Sequence, residues 1–118
     1  MTVEASIFSL LSPLVGGRVF PDVAPYNTLR PYITYQQVGG HVIRPLGKEV
    51  PDKQNGFFQV NTWADRRAEA AALALQIEAA FVTAAVFSAK PMSAPIGTHD
   101  EDVSLYGTQQ DFSVWSDR

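Results

Sequence analysis

Cysteine is absent from this chain of 118 residues, which removes disulfides, thiolate zinc sites and cysteine nucleophiles and fits a reducing compartment. An excess of positive charge is absent too. Nine Lys and Arg stand against twelve Asp and Glu, for a formal net charge of -3, so there is no basic footprint for sequence-independent nucleic-acid binding. No apolar run approaches the roughly 18 residues of a bilayer-spanning helix. The opening Met1-Thr2-Val3-Glu4 has neither the basic start nor the apolar core of a signal peptide. The expectation is a soluble chain made in the cytoplasm, with no membrane partner. Internal repeats, heptad arrays and low-complexity tails are also missing. The length suits one domain, residues 1–118, burying roughly two-thirds of its unfolded surface.

What is present is organised around Gly56 to Val86. Phe57 to Trp63 combines aromatic and β-branched residues in an alternation that reads as a strand, with Phe58, Val60 and Thr62 on one face and Phe57, Gln59, Asn61 and Trp63 on the other. A helix is expected to begin near residue 65, with Asp65 or Thr62 as its N-cap. From Arg66 to about Val86 there is no Gly or Pro, and Ala dominates. At 100° per residue, Leu73, Ile77, Ala80, Phe81 and Ala84 gather on one face. Ala68, Leu75, Ala79, Val82 and Val86 gather on nearly the opposite one. The heavier face should meet the sheet. The lighter, Ala-rich face needs cover from further chain or from another subunit, which makes Ala68, Leu75, Ala79 and Val82 candidate interface residues.

In chain order, Val3, Ile7, Leu10, Leu11 and Leu14 predict an amphipathic helix from residue 3 to about 11. Ser12-Pro13 either ends it or caps one further turn, and Gly16-Gly17 stops it. Arg18 to Tyr26, with Pro21 and Pro25, reads as an extended connector. Pro31 to Val38 reads as a strand ended by Gly39-Gly40. His41 to Asn55 is expected to be a long solvated loop, with a short strand extension allowed at His41 to Arg44. It carries Arg44, Lys48 and Lys53, a third of the chain's Lys and Arg, and is a candidate mobile arm that orders on assembly. After the long helix, Pro91 and Pro95 confine any strand in Phe87 to Gly97 to a sheet edge. His99-Asp100-Glu101-Asp102 reads as a turn or loop, and Leu105 to Trp115 as a strand. The fold class is α+β. Its order is helix, strand, strand, helix, strand, strand, with a mostly antiparallel sheet of about four strands and both helices on one face.

Candidate chemistry is thin. His99 with Asp100, Glu101 and Asp102 lacks the ligand spacing and the Gly of a calcium loop. Neither His41 nor His99 sits in a motif with a Ser nucleophile and an orienting carboxylate. Arg66-Arg67 has no Gly-rich loop before it and reads as two exposed helix-start residues. Tyr32, Tyr35, Phe57, Phe58 and Trp63 lack interleaved basic residues and read as sheet packing rather than nucleotide-stacking platforms. The residues themselves point to no catalytic centre, cofactor or metal.

Several stretches taken together resemble one family. Ser6-Ile7-Phe8-Ser9-Leu10-Leu11, then Gly17-Arg18-Val19-Phe20-Pro21-Asp22-Val23-Ala24-Pro25, then Pro31-Tyr32-Ile33-Thr34-Tyr35-Gln36, are similar to the opening of the tail-completion, or head–tail joining, proteins of long-tailed bacteriophages and their prophages. Phe58-Gln59-Val60-Asn61-Thr62-Trp63-Ala64 and Asp111-Phe112-Ser113-Val114-Trp115 continue the resemblance; residues 41–55 and 91–102 do not match it. The resemblance implies a structural, non-enzymatic subunit that forms a ring, as a hexamer, at the head–tail interface of the virion after assembly in the host cytoplasm. The implied partners are further copies of the chain, the head connector or a head-completion protein, and the tail-tube protein. DNA would pass through without specific binding, and Asp100, Glu101 and Asp102 are candidate channel-facing residues. A small adaptor that pairs through an open sheet edge is the alternative expectation.

Overall fold

The computed structural model describes residues 2–118. In chain order its elements are α1 (Val3–Leu11) with a 3-10 turn at Ser12–Leu14, β1 (Val19–Pro21), β2 (Tyr32–Gly39), β3 (Lys53–Ala64), α2 (Arg67–Thr83), β4 (Ser88–Pro91), β5 (Ile96–Asp100) and β6 (Leu105–Asp117). The longest strands, β3 and β6, pair antiparallel from Lys53 opposite Asp117 to Ala64 opposite Tyr106. Successive side chains of a strand point to opposite faces. Phe58, Val60 and Thr62 of β3 and Thr108, Gln110, Phe112 and Val114 of β6 are buried together. The alternate residues, Gln59, Asn61, Gln109 and Asp111 among them, stay half-buried on the other face.

Both helices pack on the inner face. Ile7 and Leu11 of α1 join Leu73, Ile77 and Phe81 of α2 in one core with Ile33, Tyr35, Phe58, Phe112 and Val114. Phe81 stacks on Phe112 at 4.4 Å between ring centroids, and Phe87 adds a tilted contact at 5.6 Å. Such aromatic pairs contribute beyond the area they bury. The buried Thr62 and Thr108 hydroxyls lie 2.7 Å apart, and the Thr108 amide donates to Thr62 Oγ1 at 3.0 Å, so neither polar side chain is buried without a partner. Beside them, a Cβ on Gly107 would come within 2.5 Å of the Thr62 carbonyl oxygen and 2.9 Å of the Trp63 ring. Only glycine fits that row.

The sheet has six strands and is mixed, where four mostly antiparallel strands were expected. Its order is β1-β2-β3-β6-β4, with β5 also on β6. β1 lies in the stretch read as a connector and runs parallel to β2, Val19 opposite Ile33. Three residues are too few to show a period, and Pro21 and the left-handed Asp22 end the strand at once. β4 and β5 lie in succession along one edge of β6, separated by the segment from Met92 to Pro95. Prolines 91 and 95 thus sit at an edge, as their missing N–H groups require.

Four boundaries also differ from expectation. β3 starts at Lys53, so the loop is 40–52 and Lys53 is a strand residue. β5 includes His99 and Asp100, and only Glu101 and Asp102 lie in the following turn. α2 starts at Arg67, with Arg66 at the N-cap and no side-chain cap hydrogen bond. Asp65 instead accepts from Arg30 at 2.9 Å, a charge-assisted bond that competes with the cap's neutral amide. The helix stops at Thr83, short of Val86, because Ala84 is extended, with ψ of 136°. At the other helix the extra turn does form: Thr2 caps α1, Pro13 sits in the 3-10 turn, and Gly16 and Gly17 take positive φ.

Truncating the ring at the centre of this core should be costly. Phe81→Ala is expected to lower unfolding free energy by about 3–5 kcal/mol in urea titrations. A loss below about 1 kcal/mol would mean that the Phe81–Phe112 stack is not the centre of the core.

Candidate functional site

Helix α2 buries Ala70, Leu73, Ala74, Ile77 and Phe81, and among the described residues this is its only covered side. On the opposite side Ala68, Ala72, Leu75, Ala79 and Val82 follow one another at alternating spacings of four and three, the geometry of a straight apolar seam along a helix. All five are exposed, Leu75 at 65% and Val82 at 54%. Among the described residues, none covers the face that carries Ala68, Leu75, Ala79 and Val82. Glu69 and Gln76 flank the seam on one side. On the other flank Glu78 accepts a 2.8 Å hydrogen bond from Gln110. Between Ala68 and Thr83 the helix has no cation.

The loop at 40–52 is an arm with a firm root. Buried Asn55 accepts from the His41 amide at 2.9 Å and donates to Ser113 Oγ at 3.0 Å, tying the first arm residues to β6 through β3. His41 also meets the edge of Phe57 at 5.0 Å. Beyond this root Val42, Leu46 and Val50 are exposed, interleaved with exposed Arg44 and Lys48. The three basic candidates therefore divide. Arg44 and Lys48 belong to the arm and form no salt bridge among the described residues, whereas Lys53 pairs with Asp117 across the β3–β6 ladder. That hydrogen bond raises the Lys53 ammonium above its ordinary pKa and lowers the Asp117 carboxyl below its own.

The acidic candidates do not form one loop. Asp100 closes β5, and its carboxylate accepts from the Asp102 amide at 3.1 Å, which shapes the turn. Asp100, Glu101 and Asp102 are all exposed. His99 stacks on Tyr106 at 4.3 Å, with Nδ1 3.1 Å from the Leu105 carbonyl oxygen. Among the described residues no three His, Asp or Glu side chains converge in a geometry that would hold a metal. An open, mainly apolar groove of about 440 Å³ lies beside the arm root, lined by His41, Phe57, Lys90, Pro91, Met92, Ser113 and Trp115.

Two arginines do work that the sequence did not reveal. Arg30 donates to the carbonyls of Val103 and Ser104 as well as to Asp65, fastening the segment before β2 to the turn before β6. Arg67, read as an exposed helix-start residue, reaches the carbonyls of Gly107 and Thr98 at 2.9 Å each and lies over Tyr106. Both depend on distant backbone positions, for which sequence spacing offers no signal.

A polar residue on the outer side of α2 should not unfold the subunit. Leu75→Asp is expected to leave unfolding free energy of the monomer within about 0.5 kcal/mol of the parent. A fall of several degrees in melting temperature would show that the side chain is packed within its own chain.

Comparison with known proteins bears on fold and family. No curated protein matches the sequence. A solved structure, one of 19 matching chains, aligns with a TM-score of 0.55 at 14% identity, covering 98% of this chain and 89% of that one. At that identity the likeness shows the fold alone. The sequence model of the family described as "Tail completion protein gp17" matches residues 7–117, from the middle of α1 to the end of β6. The chain therefore belongs to the phage tail-completion protein family.

Proposed function

We propose that this protein is a structural, non-enzymatic subunit that closes into a ring, a hexamer, at the head-proximal end of the tail. There it ends growth of the tail tube and docks the tail to the head connector or to a head-completion protein. Family membership supports a role in phage tail assembly. The observation that carries the reading further is the uncovered seam of α2. An apolar face rimmed by polar residues on a small subunit marks a contact with another chain, and a ring subunit needs lateral contacts that a monomer does not. The net charge of -3 suits a channel through which DNA slides, because phosphate-neutralising residues would hold the DNA instead. Asp100, Glu101 and Asp102, exposed around the end of β5, are the residues we assign to that channel.

The sheet edge supports the rival reading of a small adaptor. β1 covers β2 only at Ile33 to Tyr35, which leaves the edge from Gln36 to Gly39 without a β1 partner. An extended peptide could add there. A stable monomer that never assembles in a tail context would favour the adaptor.

Electron microscopy of particles produced without this protein tests the proposal. Tails of uncontrolled length, or tails lying free beside DNA-filled heads, are the expected result. Normal infectious virions would overturn it.

A further inference from the structure

We propose that the arm at 40–52 of one copy lies along the outer seam of α2 of the neighbouring copy, an inference that rests on the ring reading above. The two surfaces complement each other in chemistry. The arm carries Val42, Leu46 and Val50 interleaved with Arg44 and Lys48, and its two carboxylates, Glu49 and Asp52, lie at the end that returns to β3. The seam offers Leu75, Ala79 and Val82, with Glu69 and Glu78 on its flanks and no cation from Ala68 onward. Apolar residues meet apolar residues, and Arg44 and Lys48, which form no salt bridge among the described residues, meet carboxylates, an arrangement that sets register.

The dimensions agree. The thirteen residues between Gly39 and Lys53 form a loop that leaves the sheet and returns, so its tip reaches roughly 20 Å at about 3.3 Å per extended residue. The seam from Ala68 to Val82 spans about 21 Å at 1.5 Å per residue. The alanines let an extended chain approach the helix closely, while Leu75 and Val82 give the arm's side chains something to pack against.

Charge argues against the other acceptors. The groove beside the arm root has Lys90 as its one ordinarily charged lining residue, of the same sign as Arg44 and Lys48. Packing α2 on α2 of a second copy would leave Glu69 and Glu78 facing seams that carry no cation from Ala68 to Thr83. The arm's own α2 does not receive it, since Val42, Leu46, Val50, Leu75 and Val82 are all exposed in the single chain. Donor and acceptor are different surfaces, so the contact is head-to-tail, the type that closes rings.

The absence of cysteine makes the test clean. Leu46→Cys and Leu75→Cys are installed in the same chain, particles containing that chain are oxidised, and products are separated under denaturing, non-reducing conditions. Both positions are exposed, so the fold should survive, and circular dichroism checks that it does. The expected result is a ladder of covalently linked copies that ends at the ring, with neither single variant giving more than dimers. Arg44→Glu with Lys48→Glu should cut the ladder at least tenfold, and adding Glu69→Lys should restore part of it. Rings that persist by native mass spectrometry without any 46–75 disulfide would overturn the arm contact while leaving the ring intact. Linkage confined to one chain, or obtained only between Leu46→Cys and Met92→Cys, would also overturn it. A ladder that never closes would keep the contact and reject the ring.

Discussion

The pairing of β3 with β6 is the constraint from which the other features follow. It holds register from Lys53 opposite Asp117 to Ala64 opposite Tyr106, and it supplies one fully buried face for two helices. A one-residue slip of β6 along β3 would turn Phe112 and Val114 away from the helices and bring Gln109 and Asp111 inward. The register is fixed locally as well. Gly107 leaves room for the Thr62 carbonyl and the Trp63 ring, the Thr62 and Thr108 hydroxyls meet, and Asn55 ties the arm root to Ser113. The same ladder that stabilises the subunit therefore presents the arm at one end and holds α2 across its inner face.

With one side of α2 committed to Phe112, Val60 and their neighbours, its other side meets none of the described residues. Ala at many positions favours the helix and keeps its outer surface low in profile. The result is a subunit with a firm interior and apolar residues left over on a helix and on a loop. In a free enzyme such leftovers would be a liability. On the proposed reading they are the means of attachment in an assembly, and the tail-completion family match over residues 7–117 supports a setting in phage tail assembly.

What the sequence disclosed, and what it did not, follows from how local each signal is. The periods of β3, β6, α1 and α2 were legible because inward residues recur within a few positions, as with Ile7 and Leu11 or Phe112 and Val114. The prolines at 91 and 95 correctly announced an edge. β1 was hidden because three residues at a parallel edge carry no period and end in proline. The start of α2 was misread because Asp65, a good cap by type, is drawn to Arg30, 35 residues away. Lys53 reads as a loop residue from sequence because its partner, Asp117, lies 64 residues further along. The clamps made by Arg30 and Arg67 bind backbone carbonyls, which no residue type announces. The seam of α2 is visible in outline, and the structure adds Ala72 to it and leaves it exposed among the described residues.

On the proposed reading, the outer side of α2 exists to meet another copy of this chain at the end of a tail. A cryo-electron microscopy reconstruction of the head-proximal end of assembled tails measures this most directly. The expected result is a closed ring in which Ala68, Leu75, Ala79 and Val82 of each copy are buried against the next. A ring, or a lone subunit, in which those four residues face solvent would contradict it.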